Sequence, residues 1–191
     1  DGGLGSENVV NYSTASLAVK AVLADGDNEG FVEYDGTAIQ ALLHIQNVVG
    51  GKGKDSLVGN SADNRLDGGI GDDTLVGREG NDTLIGGDGT DTADYSVANT
   101  ALTVRLADSL AFGGGDIGSD SLDGIENVVG GLGNDSIQGD AKANALNGGI
   151  GSDTLQGLGG NDLLNGGSGV DVVTYQELDK SSALTVMLGS S

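Results

Sequence analysis

The 191-residue chain contains no cysteine, no proline and no tryptophan, and only 3% of its residues are aromatic. Without cysteine there is neither a disulfide framework nor a thiolate metal site, although the absence assigns no compartment. Without proline or a three-residue glycine period, a collagen-like helix is excluded. Every strand interior also keeps its N–H for a sheet ladder. So few aromatics leave an ordinary globular core short of large side chains, whereas a solenoid needs only rows of small aliphatic residues. Basic residues are scarce, 8 against 29 acids, for a net charge of −21. Nucleic acid and anionic membrane would be repelled, and cations are the natural partners. No run of about 18 apolar residues offers a membrane-spanning helix. Asp1–Val10 has neither the basic end nor the apolar centre of a signal peptide. The chain opens inside what reads as a repeat, so it is expected to be a piece excised from a longer protein, and a targeting signal could lie outside it. Its length suits one domain or two small ones.

What is abundant is glycine, 37 residues, and it is periodic. Gly68–Val76 reads GGIGDDTLV, that is Gly-Gly-x-Gly-x-Asp-x-apolar-x. The pattern recurs in Gly50–Val58, Gly86–Asp94, Gly130–Gln138, Gly148–Gln156 and Gly166–Thr174. Five nonapeptides run from Gly50 to Asp94 and five from Gly130 to Thr174, each displaced by 80 residues from its counterpart. The expected division is a ragged repeat end plus strand-rich linker (1–49), a first block (50–94), a linker with the degenerate nonapeptide Gly115–Asp123 (95–129), a second block (130–174) and a terminal strand (175–191). The second nonapeptide of each block is defective in the same way: Gly59–Asp67 and Gly139–Asn147 lose two glycines and replace the acid with Asn64 and Asn144. That shared defect marks the 80-residue unit as one ancestral repeat, with a turn that binds metal weakly or through carbonyls. Leu17–Asp25 could form a helix but reads as a strand, because its counterparts Leu102–Asp108 and Leu184–Leu188 alternate with period two. Gly26–Gly36 reads as a polar stretch, and Ile39–Val49 leads into the first block.

The spelling has a physical reading. In Gly68–Val76 the first six residues turn, and Gly68, Gly69 and Gly71 permit the positive φ that other residues reach only at a cost. Over the two blocks 24 of the 30 such positions are glycine, so most turns close without strain. The last three residues form a short strand, with Leu75 inward and its neighbours outward. Two nonapeptides make one coil, so residues 18 apart stack. Leu57, Leu75 and Ala93 form one inner row facing Leu66 and Leu84. In the second block Ile137, Leu155 and Val173 face Leu146 and Leu164. The acid position stacks as well: Asp55, Asp73 and Asp91 on one edge with Asn64 and Asp82 on the other, then Asp135, Asp153 and Asp171 opposite Asn144 and Asp162. Paired carboxylates repel unless a cation lies between them. The turns add main-chain carbonyls at the first position (Gly50, Gly68, Gly77, Gly86, Gly130, Gly148, Gly157, Gly166), the third (Lys52, Ile70, Glu79, Asp88, Leu132, Ile150, Gly159, Ser168) and the fourth (Gly53, Gly71, Gly80, Gly89, Gly133, Gly151, Gly160, Gly169). About six hard oxygens from two turns suit Ca²⁺, while Mg²⁺ is smaller and holds its water. About six or more ions are expected from the paired acids.

These nonapeptides resemble the RTX (repeats-in-toxin, haemolysin-type) calcium-binding repeat. The resemblance covers residues 50–94 and 130–174. It implies an all-β, right-handed parallel β-roll or β-helix solenoid with Ca²⁺ between successive turns on each edge. It also implies a secreted or cell-surface setting, type I export and millimolar extracellular calcium.

One coil without metal buries two inward aliphatic residues, each contributing about 1.5–3 kcal/mol. Ordering its 18 residues costs on the order of 1–2 kcal/mol apiece. The chain is therefore expected to be disordered without Ca²⁺ and to fold on binding it. Glu126 reads as a surface acid ahead of a ligand. Asp116, Asp120 and Asp123 leave open an extra site, in one copy only, since the stretch before Ile45 lacks those acids. His44 reads as an ordinary strand residue. Tyr12, Tyr95 and Tyr175, which close repeat blocks, read as lids over the ends of the roll. Lys52, Lys54, Arg65 and Arg78 are scattered. No Ser-His-acid set, HExxH or phosphate-binding loop appears, so the chain reads as non-enzymatic, although a parent protein could be an enzyme. The leading expectation is a calcium-responsive structural or extension module of an adhesin, surface-layer protein or exoenzyme, with neighbouring repeats of a parent chain as partners. The alternative is a polysaccharide-binding accessory module of a secreted carbohydrate-active enzyme. That role would need a cationic or aromatic stripe, of which the sequence shows little. A pore-forming role lacks an amphipathic helix.

Overall fold

Three residues of each nonapeptide, such as Thr74-Leu75-Val76, are β-prone and flanked by glycine turns, so strands are short and regularly spaced. The computed structural model describes residues 8–25 and 29–175. In chain order the strands are β1 (Val9–Asn11), β2 (Val19–Val22), β3 (Gly30–Tyr34), β4 (Thr37–Leu42), β5 (Asn47–Val49), β6 (Ser56–Val58), β7 (Arg65–Ile70), β8 (Thr74–Val76), β9 (Thr83–Asp88) and β10 (Thr92–Asp94). They continue as β11 (Thr103–Arg105), β12 (Leu110–Phe112), β13 (Ser119–Asp123), β14 (Asn127–Val129), β15 (Ser136–Gln138), β16 (Ala145–Asn147), β17 (Thr154–Gln156), β18 (Leu163–Asn165) and β19 (Val172–Val173). They form two sheets, ordered β1-β5-β7-β9-β13-β12-β11-β15-β17-β19 and β18-β16-β14-β10-β8-β6-β2-β3-β4. Strands 18 residues apart pair in parallel: Leu57 lies beside Leu75, Leu66 beside Leu84, Ile137 beside Leu155 and Leu146 beside Leu164. The chain is a two-sheet β-roll, and its core is the pair of inward rows between the sheets. Leu57, Leu66, Leu75, Leu84, Ala93 and Leu155 are fully buried.

The linkers continue both sheets. β10 pairs in parallel with β14, and β9 with β13, so the roll carries through residues 95–129. Within the linker β11, β12 and β13 form an antiparallel meander in one sheet, and β2, β3 and β4 form its counterpart near the start. Where the second sheet joins β14 directly to β16, the first inserts β12 and β11 between β13 and β15. Three successive strands in one sheet shift the phase by half a coil. The row Leu57-Leu75-Ala93 therefore lies in one sheet and Ile137-Leu155-Val173 in the other.

Several expectations need correction. The stretch 26–36 is not simply polar: Gly30–Tyr34 is strand β3, with Val32 fully buried. The missed signal is Asp35-Gly36, both at positive φ (51° and 72°), a two-residue hairpin turn that favours Asp-Gly. Leu102–Asp108 is a strand only over Thr103–Arg105, followed by a 3-10 turn over Leu106–Asp108. His44 sits outside the strands in a left-handed bend (φ 56°), and its carbonyl accepts a hydrogen bond from Asn8 Nδ2. Tyr95 is no lid: it is 3% exposed, inside the junction between the blocks. The strand expected at Leu184–Leu188 lies outside the described residues.

Candidate metal centre

The acid positions form two columns, one along each edge of the roll. In each pair the main-chain N–H of one acid donates to the carboxylate of the next turn. The first column runs Asp55 N–H to Asp73 Oδ1 (2.7 Å), Asp73 N–H to Asp91 Oδ1 (2.8 Å) and Asp91 N–H to Glu126 Oε2 (3.1 Å). It continues past Asn144, whose N–H donates to Asp162 Oδ1 (3.0 Å). The second runs Asn64 N–H to Asp82 Oδ1 (2.8 Å) and Asp82 N–H to Asp120 Oδ1 (2.9 Å). Beyond the meander it resumes with Leu102 N–H to Asp135 Oδ1 (2.9 Å), Asp135 N–H to Asp153 Oδ1 (2.8 Å) and Asp153 N–H to Asp171 Oδ1 (3.0 Å). One oxygen of each carboxylate is thereby fixed by the neighbouring turn.

The other oxygen distinguishes the turns. Oδ2 of Asp73, Asp82, Asp91 and Asp153 is buried with no hydrogen-bond partner. Such a group is costly unless a charge of opposite sign meets it. In the opening turn of each block, Asp55 Oδ2 and Asp135 Oδ2 accept the N–H of Gly51 and Gly131 instead. Burial pushes Asp82 up to about 7, helped by the charges of Asp120 and Asp63. Burial likewise pushes Asp73 up to about 6, with Asp55, Asp91 and Asp72 adding repulsion. Asp91 is raised by burial and then by Glu126. These acids are poised to release their strain to a cation.

Glycine at the first position is required by space rather than by φ, which corrects the reading of Gly68. A Cβ on Gly68 would stand 2.4 Å from Asp73 Oδ2 and 2.8 Å from the Gly86 carbonyl oxygen. On Gly148 it would stand 2.3 Å from Asp153 Oδ2 and 2.6 Å from the Gly166 oxygen. Carboxylate and carbonyl oxygens thus converge on a cradle that any side chain would fill. Gly69 and Gly71 do adopt positive φ, 101° and 133°. At the second position Arg78 and Leu158 take the left-handed conformation at φ 75° and 67°. The third-position carbonyls of Asp88 and Ser168 accept the N–H of Gly71 and Gly151. The oxygen set is pairs of carboxylates plus main-chain carbonyls; among the described residues no group of three or more acidic or histidine side chains converges as a metal cluster.

Sequence reasoning missed two members of this geometry, Glu126 and Gly124, and left a third, Asp120, open. Glu126 is not a surface acid: its side chain is 15% exposed and continues the first column. Asp120 is 1% exposed and continues the second, whereas Asp123 is exposed and Asp116 is tied up by Asn99 and Thr100. A Cβ on Gly86 would meet the Gly124 oxygen at 2.1 Å and Asp91 Oδ2 at 2.6 Å, so Gly124 supplies across the linker the oxygen that Gly86 supplies to Asp73. The usable signal was position: Asp120 is sixth in Gly115–Asp123, and Glu126 precedes the inward Val128 by two, as each acid precedes its leucine. Asp120 Oδ2 accepts the Tyr95 hydroxyl at 3.0 Å, and Tyr12 makes the matching bond to Gln40 Oε1 at 2.8 Å.

A search of curated proteins returned no match. A family model for the RTX calcium-binding nonapeptide repeat matches in four copies, over residues 46–75, 67–95, 120–154 and 139–173. Those spans cover more than half of the chain and coincide with both acid columns, including the Asp120–Glu126 segment. The chain therefore belongs to the RTX calcium-binding nonapeptide repeat family.

Proposed function

We propose that this β-roll is a calcium-gated folding module of a secreted or cell-surface protein, ordered by Ca²⁺ bound along its two edges. The observation that carries it is the set of four buried carboxylate oxygens without a donor, all at the acid position of the repeat. Asp73, Asp82, Asp91 and Asp153 would hold the ions, with first-position carbonyls such as Gly86 and Gly166 beside them and Asp120, Glu126 and Gly124 completing the columns at the linker. Hard oxygens in irregular number suit Ca²⁺. Calcium would supply positive charge where the fold itself leaves carboxylates uncompensated.

The chain's own residues set the rest. Stacking creates the oxygen pairs, so a binding site exists only when two turns are together. Binding energy is then folding energy. A chain of net charge −21 would cross an export route unfolded at low calcium and close outside. Far-UV circular dichroism should show a large gain of β-structure between chelator and millimolar Ca²⁺. Calorimetry should count about six ions, as the paired acids lead one to expect. Identical spectra in the two conditions would sink the proposal.

A further inference from the structure

The second nonapeptide of each block carries the same defect, and the structure shows what replaces the missing parts. Asn64 and Asn144 stand at the acid position, 4% and 3% exposed. Asn64 Nδ2 donates to the Gln46 carbonyl at 2.9 Å, and Asn144 Nδ2 donates to the Glu126 carbonyl at 2.9 Å. Each Oδ1 accepts an N–H of its own turn, from Asn60 and from Asp140, both at 2.8 Å. A carbonyl on one side and an N–H on the other leave the amide one satisfactory orientation. The next residue repeats the theme: Arg65 and Ala145 donate their N–H to Asn47 Oδ1 (2.9 Å) and Asn127 Oδ1 (3.0 Å). Nothing here resembles the orphaned oxygens of Asp73, Asp82, Asp91 and Asp153.

Charge is matched too. In the second copy Glu126 Oε1 meets Lys142 Nζ at 3.1 Å, and Lys142 occupies the fourth position, glycine in most other turns. In the first copy the corresponding residues are Gln46 and Ala62, both neutral. The acid and its counter-charge are present together or absent together.

We infer that these two rungs are metal-free clasps. The oxygen in the glycine cradle, Asn64 Oδ1 beside Gly77 O or Asn144 Oδ1 beside Gly157 O, is uncharged and already holds an N–H of its own turn, while the amide nitrogen ties the rung to the turn before it. The clasps interrupt the calcium columns, so ten nonapeptides do not make a continuous run of sites. Their hydrogen bonds need no ion, so they are the last contacts to open as calcium is withdrawn. The inference rests on the calcium reading of the remaining turns.

Native mass spectrometry in saturating Ca²⁺ should give the same ion count for wild type, Asn64→Ala and Asn144→Ala, with lowered melting temperatures for both variants. Asp73→Asn should lose at least one ion. As calcium is titrated down through the folding transition, hydrogen exchange of the wild-type chain should leave Arg65 and Ala145 more protected than Thr92 and Thr154. Loss of an ion in either asparagine variant overturns the inference, as does uniform exchange across those four amides. Should one variant not fold, the other copy and the wild-type exchange pattern decide. A chain that binds no calcium at all would defeat the functional proposal instead, and the exchange pattern would still judge the clasps.

Discussion

Asp82→Asn should act with opposite signs in the presence and absence of calcium. The substitution keeps the shape and the Oδ1 acceptor that holds Asn64 N–H at 2.8 Å, and removes the charge from a side chain 2% exposed. In the metal-free fold Asp82 is raised from 3.8 to about 7, by burial first and then by Asp120 and Asp63. A folded value above the unfolded one means that ionisation costs stability. The penalty is absent below about pH 4, grows as pH rises between the two values and is complete above about pH 7. Three units correspond to about 4 kcal/mol at face value, and to about 2 kcal/mol after solvent screening at the edge of the roll. The metal-stripped variant should thus retain more β-structure than wild type at pH 8. At pH 4.5 that gain should shrink to about a quarter. In calcium the lost carboxylate should weaken one site at least tenfold, about 1.4 kcal/mol, in a calorimetric titration. A metal-free variant less structured than wild type at pH 8, or a gain undiminished at pH 4.5, refutes the reasoning.

Gly68→Ala drives a methyl group into Asp73 Oδ2 and the Gly86 oxygen, so melting in calcium should report a loss of about 1–3 kcal/mol or more. Gly115→Ala, with open space around the added carbon, should melt like wild type. Asp73→Ala should lower the cooperativity of a calcium titration more than Asp55→Ala, because only Asp73 retains a buried unpartnered oxygen; equal effects count against the column geometry. Tyr95→Phe removes a hydroxyl that donates to buried Asp120 at 3.0 Å, and should cost about 1.5–3 kcal/mol in thermal unfolding.

The inner rows and the 18-residue stacking were legible because they depend on short-range spacing. A strand of three residues after a six-residue turn leaves Leu75 no neighbour in its own row except Leu57 and Ala93. The meanders were less legible: Val32 and Ala111 sit in strands whose pairing runs against the repeat, and only Asp35-Gly36 announces a hairpin. Glu126 looked like a surface acid because its partner, Asp91, is 35 residues away rather than 18. Tyr95 looked like a lid because the sequence places it at the end of a block, not at the centre of a continuous roll.

By itself the sequence determined the unit: a nonapeptide whose glycines make the turn, whose acid lines an edge and whose leucine fills the core. It also determined that hard oxygens would gather and would favour calcium. Tertiary structure alone decided which acids face each other across the linker, because a meander of three strands in one sheet shifts the roll by half a coil. It alone separated the turns into those with an orphaned oxygen and those closed by an asparagine amide. Both distinctions depend on where a donor or acceptor from a distant turn arrives, and no local spacing encodes that.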